Sequence, residues 1–272
     1  MQDPTETTAR SRSQAASMAA TAAVAQQGGT LPAGTLPADR DDTVIGLIGK
    51  QRILSRIPRE ELRALVRQAS VRAVREREKI FAEGDEGHTV MLVLEGHIKL
   101  SSMTAGGREV IHEIAGPGDV FGELAVLNDW PRSADAEALQ ASTLLFIDGA
   151  QFRGVLARAP EALFAIVRLL SQRLRATTEH RADVVALKAP TRLAKALLHL
   201  AALQSHAVKN GLRIDLQLSQ SEIGGMTGLI RESINKILAR WQDAGWVETS
   251  GRSVTLHDVA ALQALIQEDE LG

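Results

Sequence analysis

GPGDVFGELAVLNDWPRSADAEA, residues 116–138, is the stretch from which the rest of the chain can be read. It opens on a Gly-Pro-Gly-Asp turn and runs through Phe121 to Leu127, which has room for about two helical turns. Asn128-Asp129-Trp130-Pro131 breaks that run, and Arg132-Ser133-Ala134 starts a new extended segment. Backbone N–H groups at a helix start, with an arginine nearby, suit a phosphate. A glutamate among them, Glu123, makes sense only if the ligand also offers hydroxyls, as a sugar phosphate does.

Outward from this stretch, short apolar runs alternate with glycine-rich turns from Ala69 to Ile147. The runs are Val71–Val74, Lys79–Phe81, Val90–Leu94, Ile98–Ser101, Val110–Ile114, Val120-Phe121, Ala134–Ala138 and Thr143–Ile147. Short strands at intervals of roughly ten residues predict a barrel, sandwich or jelly roll. Two helical segments precede them, one around Ile45–Leu54 and one over Glu60–Val66 behind Pro58. Residues 1–42, rich in Ala, Thr, Ser, Gln and Gly, show no sustained period and predict a disordered tail.

Composition bounds the function. The 272 residues allow two domains, and 44% apolar with 24% charged residues is ordinary for a globular protein. The absence of cysteine excludes disulfides, cysteine-ligated iron–sulfur clusters and thiolate haem ligands. No apolar run reaches the roughly 18–20 residues of a membrane span, and no apolar signal-peptide core stands at the N-terminus, so the expected location is cytoplasmic with no membrane contact. A net charge of −2 gives no global sign of nucleic-acid binding, so any DNA contact must be a local patch. The seven histidines form no close-spaced ligand pair, and no metal site is expected. No nucleophile–base set or metal triad argues for an enzyme.

Downstream, Gly149–Ala157 predicts a short helix. Glu161 to Ala189 contains neither Gly nor Pro and predicts a helix roughly 40 Å long. Leu163, Leu170, Thr177 and Val184 fall on one heptad position, and Val167, Leu174 and Arg181 on the other, which is a coiled-coil seam. A seam threonine near a sugar-phosphate site predicts that a homodimer interface forms part of the pocket. Ligand contact would then bias helix packing.

From Ala189 the pattern is helical again to Leu203, followed by a turn region over Ser205–Gly211 and an extended piece over Leu212–Leu216. Ser219-x-x-Glu222 is a capping box and starts a helix. Gly228 stands where a tight turn between two helices needs a left-handed residue. The second helix, Ile230 to about Asp243, places Ile234, Ile237, Leu238 and Trp241 inward and Arg231, Glu232, Asn235 and Lys236 outward. Near the start of a recognition helix such side chains reach base edges: arginine can bind guanine bidentately, and glutamate can accept from cytosine N4. The same residues also carry an i,i+4 ion pair, Glu232 to Lys236. Val247–Leu256 predicts a hairpin wing, and a last helix spans about His257–Gln267.

These features together resemble the cyclic-AMP receptor protein / fumarate–nitrate regulator (Crp/Fnr) family of bacterial transcription factors, over about Thr43 to Leu265. Lys79-Ile80-Phe81-Ala82-Glu83-Gly84-Asp85, the Phe121–Ala125 cassette with Arg132-Ser133-Ala134, and the helix-turn-helix from Ser219 to Leu238 carry the resemblance. It implies an α+β chain: a nucleotide-binding β-roll (43–158), a dimerisation helix (159–188) and a winged helix-turn-helix domain (189–272), behind the tail (1–42). In the cAMP-binding branch, it further implies that Glu123, flanked by Gly122 and Leu124, holds the ribose hydroxyl, that Arg132 and Ser133 hold the cyclic phosphate, and that Thr177 meets the adenine amino group, joined by Thr178 from the partner subunit. Ser219, Arg231, Glu232, Asn235 and Lys236 are the expected DNA-contacting set. Ile230 departs from the small hydroxyl residue common at its position.

The function so implied is a homodimeric, cAMP-controlled regulator that binds double-stranded DNA at a pseudo-palindromic operator and works with RNA polymerase. The alternatives are the same dimer triggered by cGMP, haem or no ligand, and a nucleotide-gated module whose helical domain binds protein.

Overall fold

The computed structural model describes residues 58–271 and the backbone of Thr30–Leu31. The helix expected around Ile45–Leu54 lies outside the described residues. So does nearly all of the expected tail, but Thr30–Leu31 forms a strand (β1) on the edge of β2, Ser70–Val74. Backbone pairing at an open sheet edge needs no side-chain pattern, so composition does not reveal it.

The first domain holds two antiparallel sheets. One has the order β1-β2-β9-β4-β7, with β4 at Thr89–Glu95, β7 at Val120–Phe121 and β9 at Ser142–Asp148. The other runs β3-β8-β5-β6, with β3 at Lys79–Phe81, β5 at Ile98–Met103, β6 at Glu109–Ala115 and β8 at Asp135–Ala138. Successive side chains of a strand point to opposite faces. Met91 and Val93 of β4 accordingly join Phe121, Ile98 and Leu144 between the sheets, while Val90 and Leu92 join Leu145 and Ile147 on the outer face. Helices α1 (Arg59–Gln68) and α3 (Gly149–Arg158) cover that outer face through Leu62, Leu65, Phe152 and Val155. A sheet buried on both faces needs continuous apolar runs, which is why β4 and β9 show little polar alternation. This is the expected jelly-roll-like β-roll.

The short helix of the opening stretch, α2, spans Glu123–Asn128. It starts two residues later than the apolar run, because Gly122 is left-handed at φ 76° and interrupts it. The long helix α4, Pro160–Ala186, has Pro at its first turn. Its first turns bury Ala162, Ala165 and Ile166 on the roll, while Leu163, Phe164, Val167, Leu174 and Val184 stay 41–70% exposed. No helix among the described residues is long and apolar enough to cross a membrane.

The C-terminal domain contains α5 (Ala189–Leu203), α6 (Gln220–Thr227), α7 (Arg231–Asp243) and α8 (Val259–Leu271) around one core that includes Leu193, Leu197, Ile223, Ile234, Leu238, Trp241 and Leu262. Its sheet has four strands, β10-β11-β13-β12, at Ser205–Val208, Gly211–Ile214, Ser253–Leu256 and Val247–Ser250. The segment expected as a turn region, Ser205–Gly211, is therefore mostly strand. Its residues pair with β11 in register from Ser205↔Ile214 to Val208↔Gly211, and only Lys209-Asn210 turn.

The two domains touch. Ile111, Ile114 and Leu139 of the roll belong to the same apolar cluster as the C-terminal domain. A Cβ on Gly225 of α6 would lie 3.0 Å from the Glu109 carbonyl and 3.3 Å from Ile111 Cγ1 of β6.

Candidate nucleotide pocket and DNA-reading face

The opening stretch folds around Arg132. Its side chain is 5% exposed, donates from Nη1 to the Gly122 carbonyl at 2.8 Å and from Nη2 to the Thr89 carbonyl at 2.9 Å, and lies over the Phe81 ring at 4.4 Å. Its Nε is buried with no hydrogen-bond partner. Burial pushes the guanidinium below its ordinary pKa, against the pull of Asp85 and Glu123. An anion at this arginine would complete its hydrogen bonding and offset that burial. Gly122 is required here twice over: its φ is positive, and a Cβ would lie 2.5 Å from Arg132 Nη1.

Glu123 is 1% exposed, and its carboxylate accepts from Nη1 of Arg173 on α4 at 2.6 Å. Arg173 Nη2 also donates to Glu113 at 3.0 Å and to the Val120 carbonyl at 2.7 Å. Burial opposes the charge on Arg173, yet Glu123 and Glu113 hold its pKa above the ordinary value. Burial pushes Glu113 up, with Arg173 pulling the other way. Nothing in the sequence singles out Arg173, which is one of several charges on a polar helix. Its partner is fifty residues earlier, and no local spacing records the pairing.

A cavity of about 630 Å3 brings Gly122, Glu123, Leu124, Arg132, Ser133 and Thr177 together, with Arg173 and Glu113 among its other lining residues. That volume lies within the range of about 300–1,000 Å3 usual for small-ligand sites. Ser133 is exposed. Thr177 donates its hydroxyl to the Arg173 carbonyl at 2.9 Å. Thr178 does not line this cavity. It is exposed on α4 and bonds the Leu174 carbonyl at 2.9 Å.

In the C-terminal domain the capping box forms as expected: Ser219 caps the Glu222 amide, and the Glu222 carboxylate accepts from the Ser219 amide at 2.8 Å. Gly228 is left-handed at φ 69° between α6 and α7. Arg231, Glu232, Asn235 and Lys236 are all exposed along the first turns of α7. Lys236 donates to Glu232 at 2.7 Å, so this anticipated ion pair coexists with the outward face. Ser219 and Arg231 line one cleft of about 330 Å3 together with the wing residues Thr249 and Arg252, and Glu232, Asn235 and Lys236 lie outside it.

Glu222 has a second role that its local spacing does not encode. It pairs with Arg77 of the roll and lies 3.2 Å from Nζ of Lys99, which is itself buried and 2.8 Å from Glu109. Burial would raise this carboxyl, but Arg77, Ser219 and Lys99 outweigh it and hold the pKa at about 2.

Residues 71–159 match the family of cyclic nucleotide-binding domains, and residues 191–265 match the Crp-like helix-turn-helix domain. The chain is 34% identical over 179 residues, 66% of its length, to a CRP-like cAMP-activated global transcriptional regulator of Mycobacterium tuberculosis, of which the match covers 80%. It is 29% identical to the cyclic AMP receptor protein of Thermus thermophilus, across 68% of this chain and 83% of the relative. A solved transcriptional regulator of the CRP family from the same organism superposes with a TM-score of 0.63 at 28% identity, covering 72% of this chain and 96% of that one. Shared through both the nucleotide-binding roll and the reader, this likeness means that the chain belongs to the Crp/Fnr family of transcription regulators.

Proposed function

We propose that the chain is a homodimeric regulator whose binding to operator DNA is controlled by cAMP. The observation that carries this is the convergence of Glu123, Arg132, Ser133 and Thr177 on one cavity. Arg132 and Ser133 take the cyclic phosphate, Glu123 accepts from the ribose hydroxyl, and Gly122 and Leu124 shape the wall. The Thr177 hydroxyl already donates to a helix carbonyl, so towards the ligand it acts as an acceptor. The adenine amino group donates and fits it, whereas guanine O6 is an acceptor and gains nothing there. Relatives named as a cAMP-activated regulator and as a cyclic AMP receptor protein support the same effector.

The exposed stripe Leu163, Phe164, Val167, Leu174 and Val184 is the dimer seam, and Thr178 reaches the partner's pocket across it. Arg231, Glu232, Asn235 and Lys236 read base edges, while Ser219, whose amide and hydroxyl both donate to Glu222, fixes the start of the first helix beside the DNA. A twofold dimer then requires a pseudo-palindromic site, and RNA polymerase is its partner where the regulator activates.

Titration calorimetry of the full chain with cAMP and with cGMP tests the effector. Heat is expected with cAMP, and it should be lost in Arg132→Leu. Tighter binding of cGMP would overturn the base assignment, and no heat with either nucleotide would overturn the effector.

A further inference from the structure

Gln220, the first residue of α6, lies outside the expected DNA-contacting set, yet its side-chain amide bridges two members of it. Arg231 donates from Nε to Gln220 Oε1 at 2.9 Å, and Gln220 Nε2 donates to Asn235 Oδ1. The direction of this relay follows from chemistry. A guanidinium has only donors, so Gln220 must turn its oxygen to Arg231 and its NH2 group to Asn235. Asn235 must then turn its own oxygen to Gln220. The carbonyl of Asn235 is thereby committed to the first helix, and its Nδ2 donors are left for DNA.

We infer that Gln220 is a positioning residue that sets base specificity: it aims the Arg231 fork and makes Asn235 a hydrogen-bond donor. This rests on the DNA-reading role of α7. Arg231 keeps both terminal nitrogens for the O6 and N7 atoms of guanine, because its Nε alone is used by Gln220. Asn235 faces base edges as a donor and favours acceptors, guanine O6 and N7 or thymine O4; adenine offers only N7, and its amino group then meets a donor with no acceptor. The two-point pairing of asparagine with adenine needs the amide oxygen as well as the nitrogen, and the relay holds that oxygen away.

Selection from randomised operators, using the cAMP-loaded full chain, tests this with three proteins. Wild type should select guanine or thymine opposite Asn235. In Gln220→Glu the carboxylate still accepts from Arg231 but can only accept from Asn235 too. Asn235 then turns its amide over and presents oxygen, and preference at that base pair should invert towards adenine or cytosine by about tenfold. In Gln220→Ala the amide is free, adenine should become tolerated, and discrimination at the Arg231 guanine should weaken. A selected motif left unchanged by both substitutions, with affinity lower for all sequences alike, is what a purely structural role gives and would overturn the assignment while leaving the DNA reading intact. No selected motif with wild type would overturn both.

Discussion

Arg173 and Glu123 form a 2.6 Å ion pair that ties the long helix to the nucleotide cassette, with the carboxylate almost wholly buried. The same carboxylate is the proposed seat of the ribose hydroxyl, so the pair links pocket chemistry to helix position. Removing one partner of a buried pair leaves the other charge uncompensated. Arg173→Leu should therefore lower the stability of the nucleotide-free protein by about 3 kcal/mol. Urea unfolding would show the loss as an earlier midpoint, and an unchanged midpoint would mean that the pair holds nothing.

Thr177→Val removes the only hydroxyl that α4 contributes to the cavity at that position, and with it one acceptor for the base. One neutral hydrogen bond contributes about 0.5–1.5 kcal/mol. Affinity for cAMP should fall roughly two- to tenfold by that measure, and affinity for cGMP should stay where it is. Equal losses for both nucleotides would show that Thr177 does not discriminate between the bases.

Leu174 is 70% exposed in the protomer and sits midway along the apolar stripe of α4. A carboxylate placed there would be buried without a partner in the proposed dimer, at a cost of several kcal/mol. Leu174→Asp should sediment as a monomer at concentrations where the wild type is a dimer. A variant that stays dimeric would move the interface elsewhere.

Acid should loosen the contact between the domains. The Glu222 pKa is lowered from an ordinary 4.5 to about 2 in the folded protein. Its contribution to stability is therefore complete above about pH 4.5 and is lost as pH falls towards 2. Urea midpoints measured between pH 6 and pH 3 should fall more steeply for wild type than for Glu222→Gln. Parallel slopes would show that another carboxylate dominates.

Most of this architecture could be read from local pattern. Strand runs bounded by glycine, the proline at the start of α4, the capping box at Ser219 and the left-handed Gly228 each depend on residues a few positions apart, and each forms where that spacing puts it. The pocket residues Glu123, Arg132 and Ser133 fall within one short stretch, so one motif brings them together. What escaped was long-range or invisible to pattern. Arg173 to Glu123, Glu222 to Arg77 and Lys99, and β1 to β2 join segments whose pairing no periodicity encodes. Phe164 escaped for another reason. It is 64% exposed beside the heptad positions, and a strict seven-residue count passes over it.

The close approach of Gly225 to β6 leaves no clearance between reader and roll. A methyl group at that position would already press on the Glu109 carbonyl and on Ile111, while Glu113, two residues further along the same strand, touches Arg173 at the pocket. Two residues of extended chain span only about 7 Å. One short stretch of β6, bulged at His112 where its register with β5 shifts, thus serves both as wall of the pocket and as seat of the first reading helix.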